Sequence, residues 1–150
     1  MLKAINILPA DKKIAGVHCI PLMENGDIVM AWDREEQLLT TIGGRIDGEE
    51  TIEEALRRES MEEAGIIIKG EKIPFASWYW ESTDTYTIWF FVKAQEFLPY
   101  SFDHEKSGYV IFNFETAKQM ISKLEPDNKF RMNLLSMAYD KALKLHLIKE

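Results

Sequence analysis

Apolar and turn-forming segments alternate along the first part of the chain. Residues 14–23 form an apolar run rich in β-branched side chains, broken by Glu24-Asn25-Gly26-Asp27. Asn-Gly between two such runs marks a tight hairpin, and residues 28–32 return as the partner strand. Residues 33–37 are polar, 38–42 read as short and extended, and Gly43-Gly44 ends that piece. The period changes at Thr51. Residues 51–64 read as a helix, with Thr51 and Glu54 spaced as a capping box and Gly65 as the C-terminal stop. Strands are then expected over 66–68, 75–80, 85–94 and 109–114, with Lys69-Gly70 and Glu81-Ser82-Thr83-Asp84 as turns. Two helices close the chain, about 115–124 and about 127–148, the first stopped by Pro126. One central helix and two late ones among many strands predict an α/β (α+β) domain around a mixed sheet.

The helix over 51–64 carries an anomaly. On a wheel at about 100° per residue from Ile52, Leu56 and Ala55 fall on one side, within about 60° of Ile52. Glu59 and Glu63 fall within about 20° of Ile52, and Glu62 within about 80°, so the apolar stripe runs into three carboxylates. Met61 lands opposite, on the side expected to meet solvent. Crowded, partly buried carboxylates repel and take up protons. Acids late in a helix also run against its macrodipole. A divalent cation removes the conflict, and oxygen ligands alone suit a hard ion, Mg²⁺ first, with Mn²⁺ or Ca²⁺ as further choices. The competing reading is a solvated acidic helix end paired with Arg57 and Arg58. Upstream, Gly43, Gly44 and Gly48 let the backbone approach a ligand closely.

Composition narrows the function classes. The chain has 150 residues, about one domain by length, and no linker or repeat is evident. Its 18 basic and 25 acidic residues give a net charge of −7, which argues against a long nucleic acid as partner. A single cysteine, Cys19, excludes an internal disulfide and fits a reducing compartment. No run approaches the roughly 18 apolar residues of a membrane span, and the N-terminus lacks a signal-peptide core, so a cytoplasmic protein without membrane contact is expected.

The residues from Gly44 to Ile66 spell a recognisable pattern. Gly44, Glu50, Arg58-Glu59, Glu62-Glu63, Gly65 and Ile66 stand at the spacings of G-x5-E-x7-R-E-U-x-E-E-x-G-U. This resembles the Nudix box; Ser60 departs from it, standing where a bulky aliphatic is expected and where a small polar residue should loosen packing. The resemblance implies a single Nudix hydrolase domain over 1–150, an α/β/α sandwich around a mixed sheet. It implies cleavage of the diphosphate linkage of a small nucleotide such as a nucleoside triphosphate, a nucleotide sugar or an ADP-ribose-like compound. By position, Glu59, Glu62 and Glu63 would hold Mg²⁺ or Mn²⁺ with the Gly44 carbonyl. Glu50 would support the loop, and Arg58 would orient a box carboxylate. A non-catalytic nucleotide-binding Nudix module acting as a sensor is the alternative, though such a module is expected to have lost carboxylates that are all present here.

The resemblance leaves the general base open: Glu59, Glu62, or an acid of the Asp103-His104-Glu105 segment, with Glu105 ahead of Asp103. Metal-bound water is acidic enough to be used as a nucleophile once a carboxylate takes its proton. On the substrate side, Arg45, Trp32 and Arg34 are candidate contacts. The aromatics Trp78, Tyr79, Trp80, Tyr86, Trp89, Phe90 and Phe91 are expected mostly in the core, with Trp78 and Trp80 sharing a face. His18 is expected as an interior histidine, Cys19 as a small core residue and His146 as structural or exposed. The last helix is expected to pack its leucines on the sheet, and either a monomer or a homodimer is compatible with the sequence.

Overall fold

The computed structural model describes residues 1–99 and 106–149. Its elements, in chain order, are β1 (Leu2–Ala4), β2 (Lys13–Leu22), β3 (Ile28–Asp33), β4 (Leu38–Thr40), β5 (Ile42–Arg45), α1 (Ile52–Ala64), β6 (Ile66–Trp80), β7 (Thr85–Phe97), β8 (Lys106–Phe112), α2 (Phe114–Leu124) and α3 (Phe130–Lys144). The strands form a mixed sheet in the order β1-β6-β7-β2-β3-β4, with β5 on β2 and β8 on β3. The β2–β7 pair is parallel and the other pairs are antiparallel.

Alternation along the central strands separates two cores. Val17 and Cys19 of β2 and Ile88, Phe90 and Val92 of β7 face α1, where Ala55, Leu56 and Ala64 cover them. Ile20 and Leu22, with Trp89 and Phe91, face the other way, against Phe114, Ala117 and Ile121 of α2 and Leu134, Leu135, Ala138 and Ala142 of α3. Three layers result, helix, sheet and helix pair, which is the expected sandwich. Among the described residues no helix is long and apolar enough to cross a membrane.

Several boundaries differ from the expected ones, each for a reason of pairing. Residues 38–42 are two strands, because the chain leaves β3 after Thr40 and pairs with β2 from Ile42. Gly43 and Gly44 lie inside β5 instead of ending a strand. Gly43 has φ +156°, and a Cβ there would stand 2.2 Å from the Val17 carbonyl oxygen and 2.5 Å from His18 Cα. Only glycine lets β5 lie that close to β2. Lys69-Gly70 does not end a strand; it begins a bulge within β6, across which the register with β7 shifts between Lys69 and Ile73. The short N-terminal strand β1 was not expected and pairs Leu2 with Trp78. The last helix is shorter than expected at both ends, beginning after Asn128 accepts the Phe130 N–H and ending as His146 takes φ +57°.

Ser60, the departure from the box, is fully buried, and its hydroxyl lies 3.7 Å from Cys19 Sγ, so the polar atom has a partner. Burial pushes the Cys19 thiol up to about 12, which keeps it protonated and inert.

Candidate active site

Helix α1 is fixed at both ends by local chemistry. Thr51 Oγ1 accepts the Glu54 N–H at 3.1 Å and Glu54 Oε1 accepts the Thr51 N–H at 2.9 Å. Gly65 ends the helix in the left-handed region, its N–H donating to the Met61 carbonyl. With Ala55 and Leu56 locked into the core, the helical period turns Glu59 and Glu63 toward β5. The Gly43 N–H donates to Glu63 Oε2 at 2.7 Å. A Cβ on Gly44 would stand 2.9 Å from Glu59 Oε1, so this strand is bare where the carboxylates meet it.

Arg58 organises the neighbouring acids. Its Nε and Nη2 grip both oxygens of Glu50 at 2.7 and 3.0 Å, its Nη1 donates to Glu59 Oε1 at 2.7 Å and to Glu62 Oε2 at 3.3 Å, and its Nη2 also reaches the Arg45 carbonyl at 3.0 Å. Glu50 takes the Asp47 N–H as well, and these bonds hold its carboxyl below the usual range. A bidentate arginine–carboxylate pair of this kind fixes orientation as well as charge.

Glu63 is the outlier. Its side chain is 6% exposed, and its Oε1 has no hydrogen-bond partner. The Lys106 ammonium stands 3.8 Å from that oxygen, beyond hydrogen-bond reach. Burial and the adjacent Glu59 carboxylate push the Glu63 carboxyl well above the usual carboxylate range. A buried, unpartnered carboxylate oxygen beside a second carboxylate and a bare backbone is a donor set suited to a hard cation. Glu62 stands apart: its side chain is 45% exposed on the flank beside Arg58. Among the described residues no three acid, histidine or cysteine side chains are already gathered as a metal cage. Arg58 spans Glu59 and Glu62 instead.

The other candidates are dispersed. Trp32 is half-buried against the α2–α3 core, on the sheet face away from Glu59 and Glu63. Arg34 is exposed in the turn after β3, and its carbonyl accepts from the Gln37 amide. Arg45 is exposed at the end of β5, next to the box. Glu105 and Asp103 lie outside the described residues. His18 is half-buried; its Nδ1 lies 2.9 Å from Thr41 Oγ1 and its ring stacks on Trp89, and burial lowers it to about 4. Trp78 packs edge-on against Phe130, whereas Trp80 on the same face is exposed.

The sequence reading missed Asp33 and Lys106. Both are buried, and Lys106 Nζ donates to Asp33 Oδ2 at 3.1 Å. Asp33 also accepts the N–H groups of Glu35 and Glu36. Neither residue belongs to a local pattern: they meet through the β3–β8 pairing, which no spacing in the chain announces.

The model of the NUDIX domain family matches residues 12–134. The chain belongs to the Nudix family. Among solved structures it is similar to the pyrophosphohydrolase BsRppH of Bacillus subtilis, at 18% identity and a TM-score of 0.62, over 74% of this chain and 70% of that one. It is likewise similar to a NUDIX hydrolase of Nitrosomonas europaea, at 16% identity and a TM-score of 0.63, over 87% and 90% of the two chains. At these identities the likeness concerns the fold. No curated protein matches the sequence.

Proposed function

We propose that this Nudix pyrophosphohydrolase cleaves the diphosphate linkage of a small nucleotide with Mg²⁺, or Mn²⁺ in its place. The observation that carries the reading is the buried Glu63 Oε1, left without a partner beside Glu59 and the bare strand at Gly44. Glu59 and Glu63, with Glu62 and the Gly44 carbonyl, would hold the ion. Bound there, the ion would neutralise phosphate oxygens and lower the pKa of water.

The chain's own groups divide the remaining tasks. Arg58 holds Glu59 and Glu50 in place. Glu62, on the open flank, has the solvent access a proton acceptor needs, and Glu59 is the other candidate for that role. Lys106 and Asp33 back Glu63 from the opposite side. A cytoplasmic location accords with this reading, since Cys19 is free and buried.

A panel of nucleoside triphosphates, nucleotide sugars and dinucleoside polyphosphates, incubated with Mg²⁺ and read by released phosphate or pyrophosphate, tests the proposal. Turnover of at least one compound that is lost on chelation is expected. A panel with no metal-dependent product would overturn it.

A further inference from the structure

A groove of about 530 Å³ lies beside the box, on the far face of the sheet from α1. Its floor is Gly16 and Thr87, one residue out of phase with Val17 and Ile88, which face the helix. Gly44 and Arg45 form one end and Trp80 the other. The lining is unusual for a chain of net charge −7: among its described residues there is no carboxylate and no side-chain amide, and the charged groups are Lys13 and Arg45.

Trp80 is 48% exposed, although it is large and apolar. Its indole N–H donates to Thr87 Oγ1 at 2.8 Å, which fixes the ring and consumes its one polar handle. What it offers a ligand is a π face. Gly16 keeps the floor low, because a Cβ there would press on the same Thr87 hydroxyl at 2.9 Å.

We propose that this groove binds the nucleoside part of the substrate, its base stacked on Trp80 and its phosphates led past Arg45 toward the carboxylate end of α1. The inference rests on the nucleotide reading above. A sugar ring would call for carboxylates or amides to grip paired hydroxyls, and the described lining has neither. Hydroxyls donate and accept alike: Thr87 is engaged by Trp80, Thr83 and Thr85 bond each other at 2.8 Å, Ser82 adds one more hydroxyl, and His18 in the lining already spends its Nδ1 on Thr41. Such a site reads the face of a base and not its edge. Purines, with the larger face, bind better than pyrimidines, and adenine and guanine are treated alike.

The test measures KM for ATP, GTP, CTP and UTP with Mg²⁺ in the wild type, Trp80→Ala and Trp80→Phe, with circular dichroism as a check on folding. The alanine variant is expected to raise KM for ATP and GTP equally, by about tenfold or more, and phenylalanine to restore most of it. Unchanged KM in Trp80→Ala, or strong discrimination between ATP and GTP by the wild type, would overturn the subsite. If the wild type hydrolyses none of the four, the wider panel above decides the hydrolysis reading. The groove is then decided by equilibrium binding of ATP without metal: about tenfold weaker binding by Trp80→Ala supports it, and equal or absent binding overturns it.

Discussion

The two faces of the sheet beside Gly44 are built on opposite plans. On the α1 side the box acids are held, with one oxygen of Glu63 left over: Arg58 grips Glu50, Glu59 and Glu62, the Gly43 N–H holds Glu63, and backbone stands where side chains would otherwise intrude. On the other side the groove is open, its described lining is free of acids, and its aromatic face is bare. A site that performs chemistry needs groups held to fixed positions, and it tolerates a partly buried ion network to obtain them. A site that admits a substrate needs an unfilled surface of complementary charge. Gly43 and Gly44 belong to both plans, since the strand they form is the wall between them.

Both faces depend most heavily on that wall. Gly43→Ala places a Cβ against the Val17 carbonyl and should destabilise the protein by more than about 4 kcal/mol, seen as a collapsed chemical-denaturation midpoint or loss of soluble protein. Next comes Glu63→Gln, which keeps the shape and the Gly43 bond but supplies a poor ligand. We expect turnover to fall by about 100-fold or more with the fold intact, measured at saturating Mg²⁺. Arg58→Lys keeps a charge but cannot grip both Glu50 oxygens while reaching Glu59. It should lower kcat by about tenfold or more and stability by about 1–2 kcal/mol, checked by steady-state kinetics and urea denaturation.

A last effect, absent at neutral pH, concerns acid. His18 is lowered to about 4 in the fold from its ordinary 6.5, so the unfolded state binds the extra proton between those values. Stability is therefore complete above about pH 6.5 and falls as pH drops from there toward 4, by no more than about 3 kcal/mol. His18→Gln, measured by thermal melting across that range, should flatten this part of the profile.

What was legible in the chain was what is local. The capping box at Thr51, the stop at Gly65 and the Asn25-Gly26 turn each write their structure within a few residues, and each element formed there. The turn of Glu59 and Glu63 toward one side followed from the helical period. What was not legible depends on partners far along the chain. Thr41 separates two strands only because β3 and β2 compete for that segment, and Gly43 is required by the carbonyl of Val17, on a different strand. Lys106 reaches Asp33 across the sheet.

The proposed function turns on Glu63 as a ligand of the divalent cation, because its buried Oε1 has no hydrogen-bond partner beside the bare strand at Gly44. Titration calorimetry with Mg²⁺ at pH 7 measures that binding without substrate. Mg²⁺ is expected to bind the wild type and to bind Glu63→Gln more weakly, by about tenfold or more. Equal binding by both proteins, or none by the wild type, would overturn the assignment.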